Sequence, residues 1–306
     1  MKKNIEYHDL LTHFYQGIQW VQIIEGKNDW PNVWISVCTH WSETVWLEII
    51  DHLKKEVNII NGKLYFILSN ILAYEKNQYM KGMWWLDDKS MLIHSRYIDE
   101  NMNRCCSEES LMNPINYERS RAKELISVLQ ELDILFDIHS TYSDTWSMLI
   151  HTQKSHDKFN DLFDADEVYI GLPETVIGKP FGDIVNRGSG IWFAIEAGSQ
   201  LNQNSYKTGL NNVSRLISHL NMWNNKMSMK KEKENKKISI IGRIMIHNET
   251  FKSMKSFKHL DKIYKGEYIA YDWIQDIYAQ EDCYIVLPSN HKPWEEYCFL
   301  WKIEDK

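Results

Sequence analysis

The chain has 306 residues, long enough for about two domains and a large buried core. Its net charge of −7 argues against nucleic acid or an anionic membrane surface as the main partner. No run approaches the ~18 apolar residues of a membrane span, and the opening MKKNIEYHDLLTHF has no apolar stretch behind its lysines that would make a signal peptide. Five cysteines (Cys38, Cys105, Cys106, Cys283 and Cys298) form an odd set with no CxxC spacing. That predicts small buried hydrophobes in a reduced, cytoplasmic protein.

In chain order, Leu10, Leu11, Phe14, Ile18 and Val21 recur at helical spacing, predicting an amphipathic opening helix within residues 1–30. Val33 to Cys38 is an apolar run that reads as a buried strand and ends in Thr39 and His40. A helix follows, with Val45, Trp46, Leu47, Ile49 and Ile50 on its apolar face. LYFIL, at 64–68 after Asn61-Gly62, reads as a second buried strand. A polar stretch leads to a loop, SRYIDENMNR, at 95–104. Ala122, Leu125, Ile126, Leu129 and Leu132 mark a helix face over 117–132, and Ile134 opens a strand that ends at His139. ADEVYIGLP and GIWFAIEAG supply two further strands, and Leu210, Val213, Leu216, Ile217, Leu220 and Trp223 another helix. The lysine-rich NNKMSMKKEKENKK at 224–237 is a solvated loop. Beyond it the pattern changes to short strands.

Strands alternating with helices imply an α/β fold: a mostly parallel or mixed sheet with helices on both faces, plus a small C-terminal β-rich domain. The expected division is 1–205, 206–237 (helix and loop) and 238–306.

Three positions have metal-ligand chemistry. His40 and Glu43 put an imidazole and a carboxylate where a strand turns into a helix, at the carboxyl edge of the sheet where α/β folds bind ligands. His-x-x-Glu alone also fits a helix-start Glu beside a capping His. His139 ends a second strand at the same edge and would complete a His₂Glu set. Zinc there would lower the pKa of a water toward ~7. Asp137, two residues earlier on the same strand face, either orients a ligand imidazole or simply ends a strand. Glu196 ends an apolar strand, and apolar surroundings raise a carboxyl pKa into the range of a general base. Arg96, Asn103 and Arg104 lie in the polar loop. Arginine holds carboxylates bidentately, and a second one can stabilise a developing oxyanion.

SRYIDENMNR resembles the R-[FY]-[IV]-D-x-[DN]-[LM]-N-R signature of the succinylglutamate desuccinylase/aspartoacylase family, a branch of the zinc carboxypeptidases. THWSE resembles that family's HGNE metal motif, DIHST its second-histidine motif and IEAG its catalytic glutamate motif, all in the family's order. YKGEYIAYD and IYAQEDCYIVLPS resemble its C-terminal β domain, so the likeness spans about residues 30–300. The resemblance implies one Zn²⁺ held by His40, Glu43 and His139, with Glu196 as the base that activates water. It implies that Arg96 polarises the scissile carbonyl, and that Asn103 and Arg104 bind the substrate carboxylate. Trp41-Ser42 replace the family's Gly-Asn and would narrow the pocket, Asn101 replaces an aspartate, and Arg187 approximates a further substrate-binding arginine.

The expectation is therefore a zinc-dependent amidohydrolase that cleaves a small-molecule N-acyl amino acid, with no nucleic acid or membrane partner and homo-oligomerisation left open. The alternatives are a zinc carboxypeptidase acting on peptides and a catalytically inactive ligand-binding homologue. The C-terminal domain is expected to form part of the pocket wall.

Overall fold

The computed structural model describes residues 14–40, 43, 46–81, 96–141, 146–151, 159, 161–176, 178–199, 202–225, 227, 235–288, 293 and 295–302. The chain runs β1 (Phe14–Tyr15), β2 (Ile18–Gln19), β3 (Val21–Glu25), β4 (Asn32–Val37), α1 (Trp46–Glu56), β5 (Lys63–Leu68), α2 (Ile71–Lys81) and a 3-10 turn (Met102–Arg104). It continues through α3 (Glu108–Met112), α4 (Tyr117–Leu129), β6 (Ile134–Thr141), β7 (Met148–His151), β8 (Glu167–Ile170), α5 (Leu172–Thr175), α6 (Asp183–Arg187), β9 (Ile191–Ser199) and α7 (Gln203–His219). Last come β10 (Lys236–Met245), β11 (Lys252–Ser253), β12 (Lys262–Ile263), β13 (Tyr268–Tyr271), β14 (Asp276–Tyr278), β15 (Cys283–Val286) and β16 (Glu296–Lys302).

An 11-stranded mixed sheet, ordered β12-β15-β16-β10-β8-β7-β9-β6-β4-β5-β3, organises the described residues. Its centre is parallel: β5, β4, β6 and β9 run in one direction, and β7 turns antiparallel to β9. Side chains alternate across a strand, and the two faces of this sheet fill separate cores. Val33, Ile35, Val37, Ile134, Phe136, Ile138, Phe193 and Ile195 face the core closed by α1 and α7. Trp34, Leu135, Trp192 and Ala194 face the one closed by α4 and α6. The apolar runs are therefore continuous because both faces are covered.

Over residues 14–30 the expected opening helix is absent. Residues 1–13 lie outside the described set, and 14–25 form a hairpin followed by the edge strand β3. Backbone φ is positive at Gln16 (51°), Gly17 (81°) and Trp20 (64°), which no helix tolerates. The edge of β5 offers a full antiparallel ladder from Val21↔Ile67 to Glu25↔Lys63. The helical spacing of Phe14, Ile18 and Val21 was overridden by that tertiary pairing.

The sheet also continues through the expected C-terminal boundary. β10 pairs in parallel with β8, and β16, β15 and β12 add to it antiparallel. The segment has its own core of Ile244, Phe257, Ile263, Ile269, Ile285, Tyr297 and Cys298, and carries a three-stranded sheet of β11, β13 and β14. All five cysteines are buried, and none is in a disulfide. No described helix is long and apolar enough to cross a membrane.

Candidate metal centre

Three ends of backbone converge on one point. β4 stops at Val37, and Cys38 takes a left-handed conformation (φ 56°) that turns Thr39 and His40 into the site. A non-glycine residue held at positive φ is a local strain maintained by its surroundings. The Glu43 amide donates to the His40 carbonyl (3.2 Å), closing the turn that leads to α1. β6 delivers Asp137 and His139 on the same face of the sheet as Leu135, and β9 aligns Glu196 directly beside His139.

Ligand atoms of His40, Glu43 and His139 all lie within 4.8 Å of one another, and all three residues are buried. His40 Nδ1 is 3.0 Å from Glu43 Oε1, and His139 Nδ1 is 3.2 Å from Glu43 Oε2. The outer nitrogens are occupied elsewhere. His40 Nε2 meets Asn101 Oδ1 at 3.1 Å, and His139 Nε2 meets Asp137 Oδ2 at 2.8 Å. Both partners are acceptors, so the tautomer with its proton on the outer nitrogen would leave each Nδ1 for a metal. Two imidazole nitrogens and one carboxylate gathered at a common point are the donor set of a catalytic zinc site, and ring N–H groups held by outer acceptors are its usual support. The residues fit a divalent metal. Thr39 Oγ1 donates to the other Asp137 oxygen (3.1 Å), fixing that carboxylate in turn.

Burial and neighbouring charges shift the groups of the cluster in different directions. Burial, with help from the Arg96 charge, lowers the His40 pKa to about 4, which keeps the ring neutral. Burial opposes the charge on Glu43, yet His139 and His40 hold its carboxyl down at about 2. Burial opposes a charge on His139 too, but Asp137 and Glu43 outweigh it and raise that pKa well above the ordinary value. Burial pushes Glu196 up to about 7; Glu43 and Asp137 add to the rise while His139 and Arg96 oppose it. Among the described residues, Glu196 Oε2 and Arg96 Nε are buried without a hydrogen-bond partner.

The loop 96–104 is clamped from behind. Buried Glu118 of α4 accepts from the backbone amides of Ile98 (2.7 Å), Asp99 (3.1 Å) and Glu100 (3.3 Å), and from Asn70 Nδ2 (3.1 Å). Arg119 pairs with Glu100 at 2.6 Å. Asn101 caps the 3-10 turn by accepting from the Asn103 amide (3.0 Å) with the oxygen that meets His40. Gly178 passes so close to the Arg104 carbonyl that a Cβ there would collide with it.

The expected site residues therefore separate. His40, Glu43 and His139 meet, Glu196 lies beside His139 in register, and the Arg96 charge acts on both His40 and Glu196. Asn103 reaches His139 Nε2 (3.4 Å) with its amide nitrogen while its oxygen accepts from the Phe181 amide (3.1 Å). Arg104 pairs with Glu296 of β16, donating through Nε to both carboxylate oxygens (3.1 Å each) and through Nη2 at 2.7 Å. Tyr97 donates to Glu295 (3.1 Å), so the C-terminal segment touches the loop at two points. None of the Arg187 hydrogen bonds goes to the cluster; they go to Asp183 (2.8 and 3.0 Å) and to the Cys106 carbonyl. Trp41, expected to narrow the pocket, lies outside the described residues. Asn101, Glu118 and Glu296 were not foreseen in these roles, because their partners are distant in sequence.

Residues 29–165 match the family model described as the succinylglutamate desuccinylase/aspartoacylase catalytic domain, a stretch that holds His40, Glu43, Arg96, Asn103 and His139. That stretch is similar to the catalytic domain of the succinylglutamate desuccinylase/aspartoacylase family. No curated protein sequence matches significantly. Among solved structures, succinylglutamate desuccinylase from Vibrio parahaemolyticus superposes with a TM-score of 0.66 at 16% identity, covering 92% of this chain and 86% of that one. The product-bound ectoine utilization protein EutE (DoeB) from Ruegeria pomeroyi gives 0.63 at 14%, covering 94% and 92%. Murine aminoacylase 3 gives 0.61 at 16%, covering 89% and 95%. At these identities the likeness speaks for the desuccinylase/aspartoacylase fold, C-terminal strands included.

Proposed function

We propose that the protein is a zinc-dependent amidohydrolase that cleaves the amide bond of an N-acyl amino acid or a related small carboxylate. The observation that carries this reading is the convergence of the two Nδ1 atoms on the Glu43 carboxylate, with Glu196 in register beside His139. His40, Glu43 and His139 would hold the metal, which when bound supplies an acidified water and a Lewis acid for the carbonyl.

The chain's own residues do the rest. Glu196, with a pKa near neutrality and a buried oxygen without a partner among the described residues, takes the proton of the attacking water and returns it to the leaving nitrogen. Arg96 stands by His40 and Glu196 and donates to the carbonyl oxygen as negative charge builds on it. Asp137 and Asn101 fix the two imidazoles, so that neither ring must reorient during turnover. Asn103 and the C-terminal contacts at Tyr97 and Arg104 bound the substrate side. Contacts of residues 295 and 296 with the loop put the C-terminal segment beside it, and a wall there would suit a small substrate better than a polypeptide lying across the metal. This favours a deacylase over a carboxypeptidase.

The test is a screen of N-acyl amino acids with the metal-loaded protein, alongside a peptide of four or more residues. Hydrolysis of an N-acyl amino acid and not of the peptide is the expected result. Efficient trimming of the peptide would favour the carboxypeptidase reading, and no hydrolysis of either, with metal bound, the inactive one.

A further inference from the structure

Resting on the metal-site reading above, we propose that Asn101 is a positioning residue that couples the metal ligand His40 to the turn carrying Asn103 and Arg104. Two contacts meet on one atom. Asn101 Oδ1 accepts from the Asn103 backbone amide at 3.0 Å and lies 3.1 Å from His40 Nε2. A backbone N–H can only donate, so it fixes which end of the Asn101 amide faces His40: the oxygen. An oxygen there is satisfied by the His40 tautomer with its proton on Nε2. That tautomer leaves Nδ1, 3.0 Å from Glu43 Oε1, for a metal. Asn101 is 6% exposed and His40 3%, so little water is at hand to replace the contact.

The turn reaches both histidines. Asn101 caps it beside His40, and the Asn101 carbonyl accepts from the Arg104 amide at 2.7 Å. Asn103 brings its side-chain nitrogen to 3.4 Å from His139 Nε2, while its oxygen accepts from the Phe181 amide at 3.1 Å. Residues 98–100, just before the turn, are held from behind by Glu118 and Arg119. A shift of the His40 ring is therefore passed to 101–104 through the shared oxygen, and a shift of the turn is passed back. Such a coupling is reciprocal: what orders the ring orders the turn to the same degree. The support behind His40 also differs in kind from that behind His139. Asp137 is a carboxylate, fixed in turn by Thr39, whereas Asn101 is a neutral amide. A neutral acceptor holds a ring N–H less strongly than a charged one. Position 101 therefore has room to tighten the metal by a change of charge alone.

The test uses the full chain as wild type, Asn101→Asp and Asn101→Leu. It measures zinc affinity by chelator competition, and hydrogen exchange of the backbone amides of residues 103 and 104 with and without zinc. Neither readout depends on turnover. Asn101→Leu keeps the approximate shape and removes the acceptor. Its zinc affinity should fall by roughly 10–100-fold, the usual cost of losing a group behind a metal ligand. Asn101→Asp keeps both contacts and adds a charge, and should bind zinc about tenfold more tightly than wild type. Zinc should slow exchange of the two amides by roughly fivefold or more in wild type and Asn101→Asp, the low end of coupling between sites, and should leave it unchanged in Asn101→Leu. A residue that only capped the turn would give all three proteins the same zinc affinity, because Asn and Asp cap alike, and that result overturns the coupling. So does exchange in the wild-type turn that zinc leaves unaltered. Should Asn101→Leu fail to fold, Asn101→Asp decides: an affinity no tighter than wild type overturns the proposal. A wild type that binds no zinc overturns the metal-site reading and the coupling together, whereas zinc bound equally by wild type and a folded Asn101→Leu overturns the coupling alone.

Discussion

Glu118 is the residue whose removal should cost most for its size. Its carboxylate is fully buried and accepts three consecutive loop amides and the Asn70 side chain, at 2.7–3.3 Å. Replacing it by Ala leaves those four donors without an acceptor. Hydrogen bonds to charged groups contribute ~1.5–3 kcal/mol each, and an unsatisfied buried donor costs ~1–3 kcal/mol. The four share one carboxylate and the loop can relax toward water, so the sum is well below four times that figure. A loss of about 3–5 kcal/mol is the expectation for Glu118→Ala. At ~2–4 °C per kcal/mol for chains somewhat smaller than this one, Tm should fall by roughly 6–20 °C. Glu118→Gln keeps one oxygen but turns an amide toward the donors, and should fall between the two. Thermal unfolding of the metal-free protein separates loop anchoring from metal binding. A Tm for Glu118→Ala within ~2 °C of wild type would refute the clamp.

Glu196→Gln should retain metal while turnover falls by ~10² or more, the usual contribution of a general base; near-normal turnover on a verified substrate would remove Glu196 from that role. Asp137→Asn weakens the acceptor behind His139 and should lower zinc affinity by roughly 10–100-fold in a chelator competition, and an unchanged affinity would show that Asp137 serves only the strand end. For Glu296, burial alone would raise the carboxyl pKa, but the charge and hydrogen bonds of Arg104 hold it below the ordinary range. The unfolded chain therefore binds that proton more readily than the folded one. The stabilisation by Glu296 is complete above the unfolded pKa of about 4.3 and fades as pH falls through the lower folded value. The stability gap between wild type and Glu296→Gln should be flat near neutrality and shrink below about pH 4, and a gap independent of pH would contradict the pairing.

The sheet centre was legible in the sequence because β4, β5, β6 and β9 are covered on both faces. Their runs are mostly apolar, and each ends in polar residues. The same property made His40, His139 and Glu196 visible, since polar side chains at the ends of such runs share one edge. The edge strand β3 was misread because three of its neighbours fall at helical intervals by coincidence, and only the ladder with β5 decides between the two. α2 was invisible for the opposite reason: it buries Ile71, Ala73, Tyr74 and Asn77 within a sequence too polar to show a stripe. The supporting groups could not be read at all. Asn101 meets His40 across 61 residues and Glu296 meets Arg104 across 192, so nothing local marks either pair. Arg104, read as a carboxylate binder, turns out to have a carboxylate of the chain already in place.

Metal content tests the central claim most directly. Protein purified without chelators should carry about one zinc per chain by elemental analysis, with ligand distances of ~2.0–2.2 Å. Glu43→Ala and His139→Ala should each lose most of that zinc while remaining folded, because each removes one of three protein ligands. Absence of stoichiometric metal in the wild type, or full retention in both variants, would contradict the assignment of His40, Glu43 and His139 as its ligands.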